Sequence, residues 1–264
     1  MDLGLEGKRA LVTGSTAGIG FATARALAAE GALVTLNGRT QARVDSAVDA
    51  LKQELPDATV SGIAADLGHA EGCKALIAQL PDIDVLVNNL GIFDPKPFEQ
   101  ITDEDWLRIF EANVLSGVRL SRHYLPAMRA KNWGRIVFVS SESALQIPTE
   151  MIDYGMTKTA QLAISRGLAE TLAGTGVTVN SVLPGPTSSE GARRFVAQMA
   201  ASRGVDAMTI EREFLATARP SSVLQRFSTP DEVATMIAYV CSACASATTG
   251  AALRVDGGVV RAVA

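Results

Sequence analysis

Cysteine and histidine are scarce in this sequence, and there is no basic excess. Three cysteines, Cys73, Cys241 and Cys244, are too few to staple a chain of 264 residues. Cys241-Ser242-Ala243-Cys244 has redox spacing, but it closes an apolar helical run and lacks the strand-then-helix setting of a redox site, so packing roles are expected. The two histidines, His69 and His123, stand apart from any acidic or cysteine cluster, and no metal site is expected. With 24 Lys+Arg against 28 Asp+Glu, the formal charge is −4, which argues against a nucleic-acid surface. No apolar run approaches the roughly 20 residues that span a bilayer. The opening Met1-Asp2-Leu3-Gly4-Leu5-Glu6 lacks the basic and apolar regions of a secretory signal. These absences predict a soluble, cytoplasmic protein with neither membrane nor nucleic-acid partners.

Apolar content, by contrast, is ample at 47%. Short apolar runs at 10–13, 32–37, 59–64, 85–88, 135–140, 177–183 and 252–255 read as strands. Helical patterns fall between them near 18–31, 41–54, 70–80, 103–130, 152–173 and 230–243. That alternation predicts an α/β fold, a doubly wound sheet of about seven parallel strands with helices on both faces. No linker, low-complexity tract or internal repeat interrupts it, so residues 1–264 are expected to form one domain. Residues 188–227 break the rhythm as a long, polar, helix-prone insertion. Following the sixth strand, it is placed beside any ligand bound beyond the strand ends, where it would act as a lid over substrate.

The stretch Thr13-Gly14-Ser15-Thr16-Ala17-Gly18-Ile19-Gly20 follows the first strand and opens the first helix. Gly14 suits a tight turn, and Gly18 and Gly20 let backbone approach a diphosphate and the helix pack on its strand. The helix N-terminus then offers N–H groups and a positive dipole end to phosphate, as in Rossmann-type dinucleotide sites.

Tyr154-Gly155-Met156-Thr157-Lys158 opens the helix after the fifth strand. Positions i and i+4 share a helix face, so phenol and ammonium can converge, and an adjacent cation favours the phenolate. Ser140-Ser141 closes the fifth strand at the same sheet edge. A hydroxyl and a phenol placed together there can hold a carbonyl oxygen while hydride reaches its carbon. Asn113 is a poor helix former in an otherwise apolar helical stretch. It marks either a kink with a bound water or a satisfied core amide.

With these residues in place, the chain resembles the short-chain dehydrogenase/reductase family, in its single-domain branch, from Lys8 to Gly258. The matching motifs are Thr13-Gly14-x-x-x-Gly18-Ile19-Gly20, Asn88-Asn89-Leu90-Gly91, Asn113, Ser141, Tyr154-x-x-x-Lys158, Pro184-Gly185 and Val255-Asp256-Gly257-Gly258. The resemblance implies a catalytic tetrad. Tyr154 is the acid in reduction and the base in oxidation, and Ser141 polarises the substrate oxygen. Lys158 lowers the tyrosine pKa and binds the nicotinamide ribose, while Asn113 holds a relay water. It also implies cofactor contacts from Gly14, Ser15, Thr16, Gly18, Ile19 and Gly20 in the turn, from Asp66 and Leu67, and from Asn88 and Gly91. Tyr154, Lys158, Pro184, Gly185, Thr187 and Ser189 complete that set. Leu90 departs from the usual alanine, Tyr154-Gly155-Met156-Thr157-Lys158 from the usual Tyr-x-Ala-Ser-Lys, and Ser189 from the more common threonine.

Cofactor choice is read at Leu36-Asn37-Gly38-Arg39-Thr40, closing the second strand. An acidic residue there would bind both ribose hydroxyls and repel a 2′-phosphate. Gly38 leaves that space open, and the Arg39 guanidinium can fork onto a phosphate. NADP(H) is therefore favoured over NAD(H), although Ala17 stands where NADP-dependent relatives often carry a basic residue. The expected reaction interconverts a ketone and a secondary alcohol, in a 3-oxoacyl reductase-like or general carbonyl reductase. An NAD-linked dehydrogenase of a sugar acid, steroid or cyclic alcohol is the alternative. A non-catalytic nucleotide sensor is a remote one, disfavoured by the presence of both Tyr154 and Lys158. Phe93, Glu142, Ser143, Gln146, Pro148, Met151, Pro186, Phe195 and Phe214 are candidate walls for a small-molecule substrate. Family resemblance further implies a homotetramer, for which the helices at 103–130 and 152–173 supply small and apolar faces.

Overall fold

In a computed structural model, residues 2–263 are described, Phe195 by its backbone alone. The described strands are β1 (Arg9–Val12), β2 (Leu33–Gly38), β3 (Val60–Ala64), β4 (Val85–Asn88), β5 (Gly134–Val139), β6 (Val177–Pro184) and β7 (Ala252–Val255). All pair in parallel in the order β3-β2-β1-β4-β5-β6-β7. Each expected strand is present with its ends within one residue. The central strands β4, β5 and β6 are buried along their whole length, as a sheet covered on both faces requires.

Successive strand residues serve opposite layers, following the two-residue period of the pleat. Val12, Val87 and Val137 join α1 (Gly18–Ala29), α2 (Gln41–Glu54) and α9 (Pro230–Cys241) in one core. Leu11, Leu86 and Ile136 join α3 (Ala70–Gln79), α5 (Ser116–Ala130) and α6 (Ile152–Thr171) in the other. The chain changes winding direction between β1 and β4, so a crevice opens beyond their carboxyl ends, where doubly wound folds bind ligands. Cys73 and Cys241 are buried and Cys244 is exposed, all three as free thiols.

The expected unbroken helix over 103–130 is instead α4 (Asp103–Phe110), a π-turn (Glu111–Leu115) and α5. Ser116 N–H donates to Glu111 O, five residues back. The interruption falls on Asn113, and π-turns of this kind recur at functional sites.

Residues 188–227 hold α7 (Glu190–Arg203) and α8 (Ala207–Ala218). Thr187 and Ser228 form a parallel bridge at the base of this excursion. Ser188 N–H donates to Ser228 O and Ser228 N–H to Pro186 O, each over 2.8 Å. Val196, Ala200 and Ile210 give it a small core of its own, with Met199 and Phe227 packed against it.

Candidate active site

The glycine turn is built around Asn37 and Asn89. Asn37 Oδ1 accepts from Gly14 N–H at 3.3 Å, and its amide donates to Ile63 O and Ala65 O. Asn89 Nδ2 donates to Thr13 O at 2.9 Å and Gly14 O at 3.0 Å. Gly14 and Gly18 have φ of 59° and 58°, in the left-handed region that a side chain disfavours. Ala17, the N-cap of α1, supplies no side-chain bond, so the first N–H groups of that helix stay available to an anion. Ile19 lies in that first turn.

Two of the turn residues serve the turn itself. Ser15 is fully buried, and its N–H donates to Asn37 O at 2.8 Å while its hydroxyl donates to Val12 O at 2.7 Å. It has no donor left for a phosphate, which corrects the expectation of a cofactor contact. A Cβ on Gly20 would lie 2.5 Å from Asn89 Nδ2 and 2.6 Å from Gly14 O, so that glycine allows close packing of helix on turn.

A cleft of about 300 Å³ runs from Gly14 and Thr16 past Gly38, Arg39 and Arg43 to Leu67 and Leu90. Arg39 is exposed, and among the described residues it has no ion-pair partner. Arg43, which the sequence reading missed, brings a second guanidinium one helical turn later and lies 3.7 Å from Glu190 on α7. The expected open space at Gly38 is absent: a Cβ there would meet Thr16 Cγ2 at 2.5 Å and Val44 Cγ2 at 3.1 Å. Asp66 is exposed and caps its own turn through Gly68 N–H at 3.0 Å. Asn88 departs from expectation, because its side chain is buried against α5 and donates to Ser121 Oγ at 3.3 Å rather than facing the cleft.

At the carboxyl ends of β4, β5 and β6 the structure brings Tyr154, Lys158, Ser141, Asn113 and Gly91 together. Lys158 is 3% exposed; its Nζ donates to Val139 O at 2.9 Å and lies 5.5 Å from the Tyr154 ring centre. A Cβ on Gly91 would sit 3.3 Å from that Nζ. Burial pulls the Lys158 amine down to about 7. Burial also pushes the Tyr154 phenol above its ordinary range, the Glu142 charge adds to this, and the Ser141 hydroxyl and Arg219 charge oppose it. Lys158 is not among the charges that move the phenol, and its own amine, drawn down to about 7, is only partly charged near neutrality. Phe93 packs edge-on to the Tyr154 ring at 6.0 Å. Pro184 ends β6, a Cβ on Gly185 would lie 2.6 Å from Asp256 O, Thr187 Oγ1 donates to Gly185 O, and Ser189 caps α7. The side chain of Phe195, a candidate wall, lies outside the described residues.

Asn113 is a satisfied amide within the π-turn. It accepts from Ile92 N–H at 2.7 Å and donates to Ile92 O at 2.9 Å and Thr157 Oγ1 at 3.1 Å. Its backbone carbonyl accepts from Gln161 Nε2 at 2.6 Å, and Gln161 Oε1 accepts from Lys158 Nζ at 3.4 Å. Gln161 thus joins the Asn113 carbonyl to the Lys158 amine. Glu142, a candidate wall, is paired with Arg219 at 2.7 Å. Neither Gln161 nor Arg219 matches a motif; only an amide one helical turn beyond Lys158 gave any signal. Among the described residues no group of three or more His, Cys, Asp or Glu gathers as a metal site, and no helix is long and apolar enough to cross a membrane.

Comparison with known proteins matches residues 14–260 to the family described as enoyl-(acyl carrier protein) reductase. The chain is 47% identical over its whole length, and the whole of the other, to an uncharacterized oxidoreductase, YvaG, of Bacillus subtilis (strain 168). It is 37% identical, over 95% of this chain and 96% of the other, to a putative ketoacyl reductase of the monensin polyketide synthase of Streptomyces virginiae. Among solved structures it resembles the L-sorbose reductase of Gluconobacter frateurii complexed with NADPH and L-sorbose, with a TM-score of 0.93, 30% identity and full coverage of both chains.

Proposed function

The chain belongs to the short-chain dehydrogenase/reductase family of CH–OH/C=O oxidoreductases, and we propose that it interconverts a small polar ketone and its secondary alcohol with NADP(H). The observation that carries this reading is the convergence of Tyr154, Ser141 and the buried Lys158, with Gly91 against the Lys158 amine and its neighbour Leu90 lining the cleft that the glycine turn shares with Arg39 and Arg43. The L-sorbose reductase, alike over its whole length, is complexed with NADPH.

The residues present fit a dinucleotide. The uncapped start of α1 and the left-handed Gly18 suit the diphosphate, the cleft walls Ala65, Leu67 and Leu90 suit the adenine, and Arg39 and Arg43 suit a 2′-phosphate. Bound there, the dinucleotide supplies or accepts the hydride. Tyr154 gives its phenolic proton to the carbonyl oxygen in reduction and takes it back in oxidation. Ser141 fixes that oxygen, and Lys158 fixes the ribose and the phenol. The L-sorbose reductase, complexed with a polar ketose, supports a polar carbonyl compound. Of Arg193, Arg194 and Arg203, the basic residues suited to an acyl carrier protein, Arg194 and Arg203 are paired with Glu190 and Glu213, and Arg193 has no ion-pair partner among the described residues. We place the protein in the cytoplasm as a homotetramer. A Cβ on Gly167 of α6 would meet open space, leaving that helix face free for a neighbouring helix.

The test is turnover of L-sorbose, ethyl acetoacetate and cyclohexanone with NADPH and NADH, together with titration of both cofactors. NADPH should bind more tightly, and Arg39→Ala or Arg43→Ala should weaken it by about tenfold or more, as loss of a charge-assisted hydrogen bond implies, with little effect on NADH. Tighter NADH binding, unchanged in both variants, would assign the protein to NAD.

A further inference from the structure

Glu142 and Arg219 form an ion pair whose members are 4% and 5% exposed, and the proposed chemistry transfers nothing to or from either. Arg219 Nε donates to Glu142 Oε1 over 2.7 Å. The other carboxylate oxygen, Oε2, accepts from Ser143 N–H at 2.8 Å, from Ser143 Oγ at 3.1 Å, and from the Ser141 hydroxyl. Burying two charges is costly, and an apolar pair of similar volume is often at least as stable. Stability alone is therefore a poor reason for this pair, and its location supplies a better one.

Arg219 is the C-cap of α8 and belongs to the 188–227 insertion. Its N–H reaches Leu215 O at 3.2 Å, Nη1 donates to Ala218 O at 2.8 Å, and the guanidinium lies 5.6 Å from the Phe214 ring centre. Glu142 follows Ser141 directly at the end of β5. The Glu142 carboxylate thus joins the insertion on one oxygen to the serine loop on the other, and Glu150, 3.7 Å from Arg219 Nη1, is a second and looser partner of the guanidinium.

Ser141 has one hydroxyl proton, which it gives to Glu142, while Ser143 N–H donates to Ser141 Oγ at 3.1 Å. The orientation of Oγ is set by the carboxylate plane, and Arg219 fixes that plane from the far side. Resting on the oxidoreductase reading above, we propose that Glu142 and Arg219 are positioning residues that fasten the insertion to the serine loop and hold Ser141 Oγ in the place from which its hydroxyl turns to the substrate oxygen. A carbonyl oxygen entering the site takes over the serine proton as its acceptor by rotation of one hydroxyl. Oε2 keeps both Ser143 donors and Oε1 keeps Arg219, so the buried carboxylate stays satisfied. Docking of the insertion and orientation of the serine then become one equilibrium, and the coupling must be reciprocal.

Amide hydrogen exchange on the full chain tests the fastening. Glu142→Gln should speed exchange across 190–218, and Arg219→Gln should speed it across 141–146, each by about tenfold or more for a locally opened unit. If Arg219→Gln does not fold, Arg219→Lys supplies the same comparison. Acceleration confined to the substituted element in both variants would overturn the coupling. Turnover of L-sorbose or ethyl acetoacetate with NADPH tests the positioning. Arg219→Lys should lower kcat about tenfold with NADPH affinity kept within about twofold, yet change kcat less than about twofold in a Ser141→Ala background, as residues acting as a unit do. An equal loss in both backgrounds would overturn action through Ser141. Were neither probe turned over by the wild type, the proposed substrate class would fall, and exchange would still decide the fastening.

Discussion

Lys158 shows how far a spacing argument reaches at the scale of one residue. The four-residue step to Tyr154 puts both side chains on one face of α6, and that much is legible in the sequence. Burial is not, and burial sets the protonation, drawing Lys158 from 10.5 to about 7. The folded value lies below the unfolded one, so the penalty of holding a buried charge is fully present below about pH 7 and shrinks as pH rises from about 7 toward 10.5. Lys158→Met should therefore stabilise the fold at neutral pH by a few kcal/mol, even after the bond to Val139 O is lost, while abolishing turnover. Thermal unfolding at several pH values checks this: the variant's gain should be largest at or below neutrality and fade toward pH 10. A gain that grows with pH would contradict it. Arg219 was illegible for a different reason. It lies 77 residues from Glu142, and only the fold of the insertion brings them together. Gly38 was legible as a missing acid, but not as a position already filled by the Thr16 methyl.

Strands β1 to β7 were readable as elements because buried parallel strands are short, continuous apolar runs and the helices between them keep their own period. The break at Glu111–Leu115 was not readable as an element, because a π-turn adds one residue without disturbing the apolar pattern around it; only Asn113 hinted at it. Gln161 supports that break from α6 by donating to Asn113 O at 2.6 Å. Gln161→Leu would leave this buried carbonyl without its side-chain partner, at a cost of about 1–3 kcal/mol, or roughly 2–10 °C in Tm for a domain of this size. It would also remove an acceptor from the Lys158 ammonium, so Lys158 should lose its proton at still lower pH. Differential scanning calorimetry checks the first effect, and an unchanged Tm would show that the kink stands without Gln161. The insertion at 188–227 was legible as an interruption, whereas its two helices were legible only as helix-prone sequence, since their small core depends on Phe227 and Val196 meeting in space.

At the scale of the whole molecule, the doubly wound topology places the glycine turn and the Tyr154 face along one crevice, and the order of motifs along the chain was enough to anticipate it. Assembly was not legible in residue physics. Leu107 on α4 is 70% exposed, and the outer face of α6 carries Ala163 and Gly167 with little covering them. Light scattering at micromolar concentration should give a tetramer, and a stable monomer would remove that proposal. The central claim is that Tyr154 is the proton donor of a nicotinamide-dependent carbonyl reduction, and its most direct test compares wild type with Tyr154→Phe in NADPH oxidation driven by a carbonyl substrate. The fold holds this half-buried phenol beside Ser141 and Lys158, while the cleft for the dinucleotide is lined by other residues. The variant should bind NADPH within a few-fold of wild type and lose about 10²–10⁴ in kcat, as removal of a positioned acid does. A variant that kept more than about a tenth of wild-type kcat, with chemistry limiting turnover in both, would contradict the account.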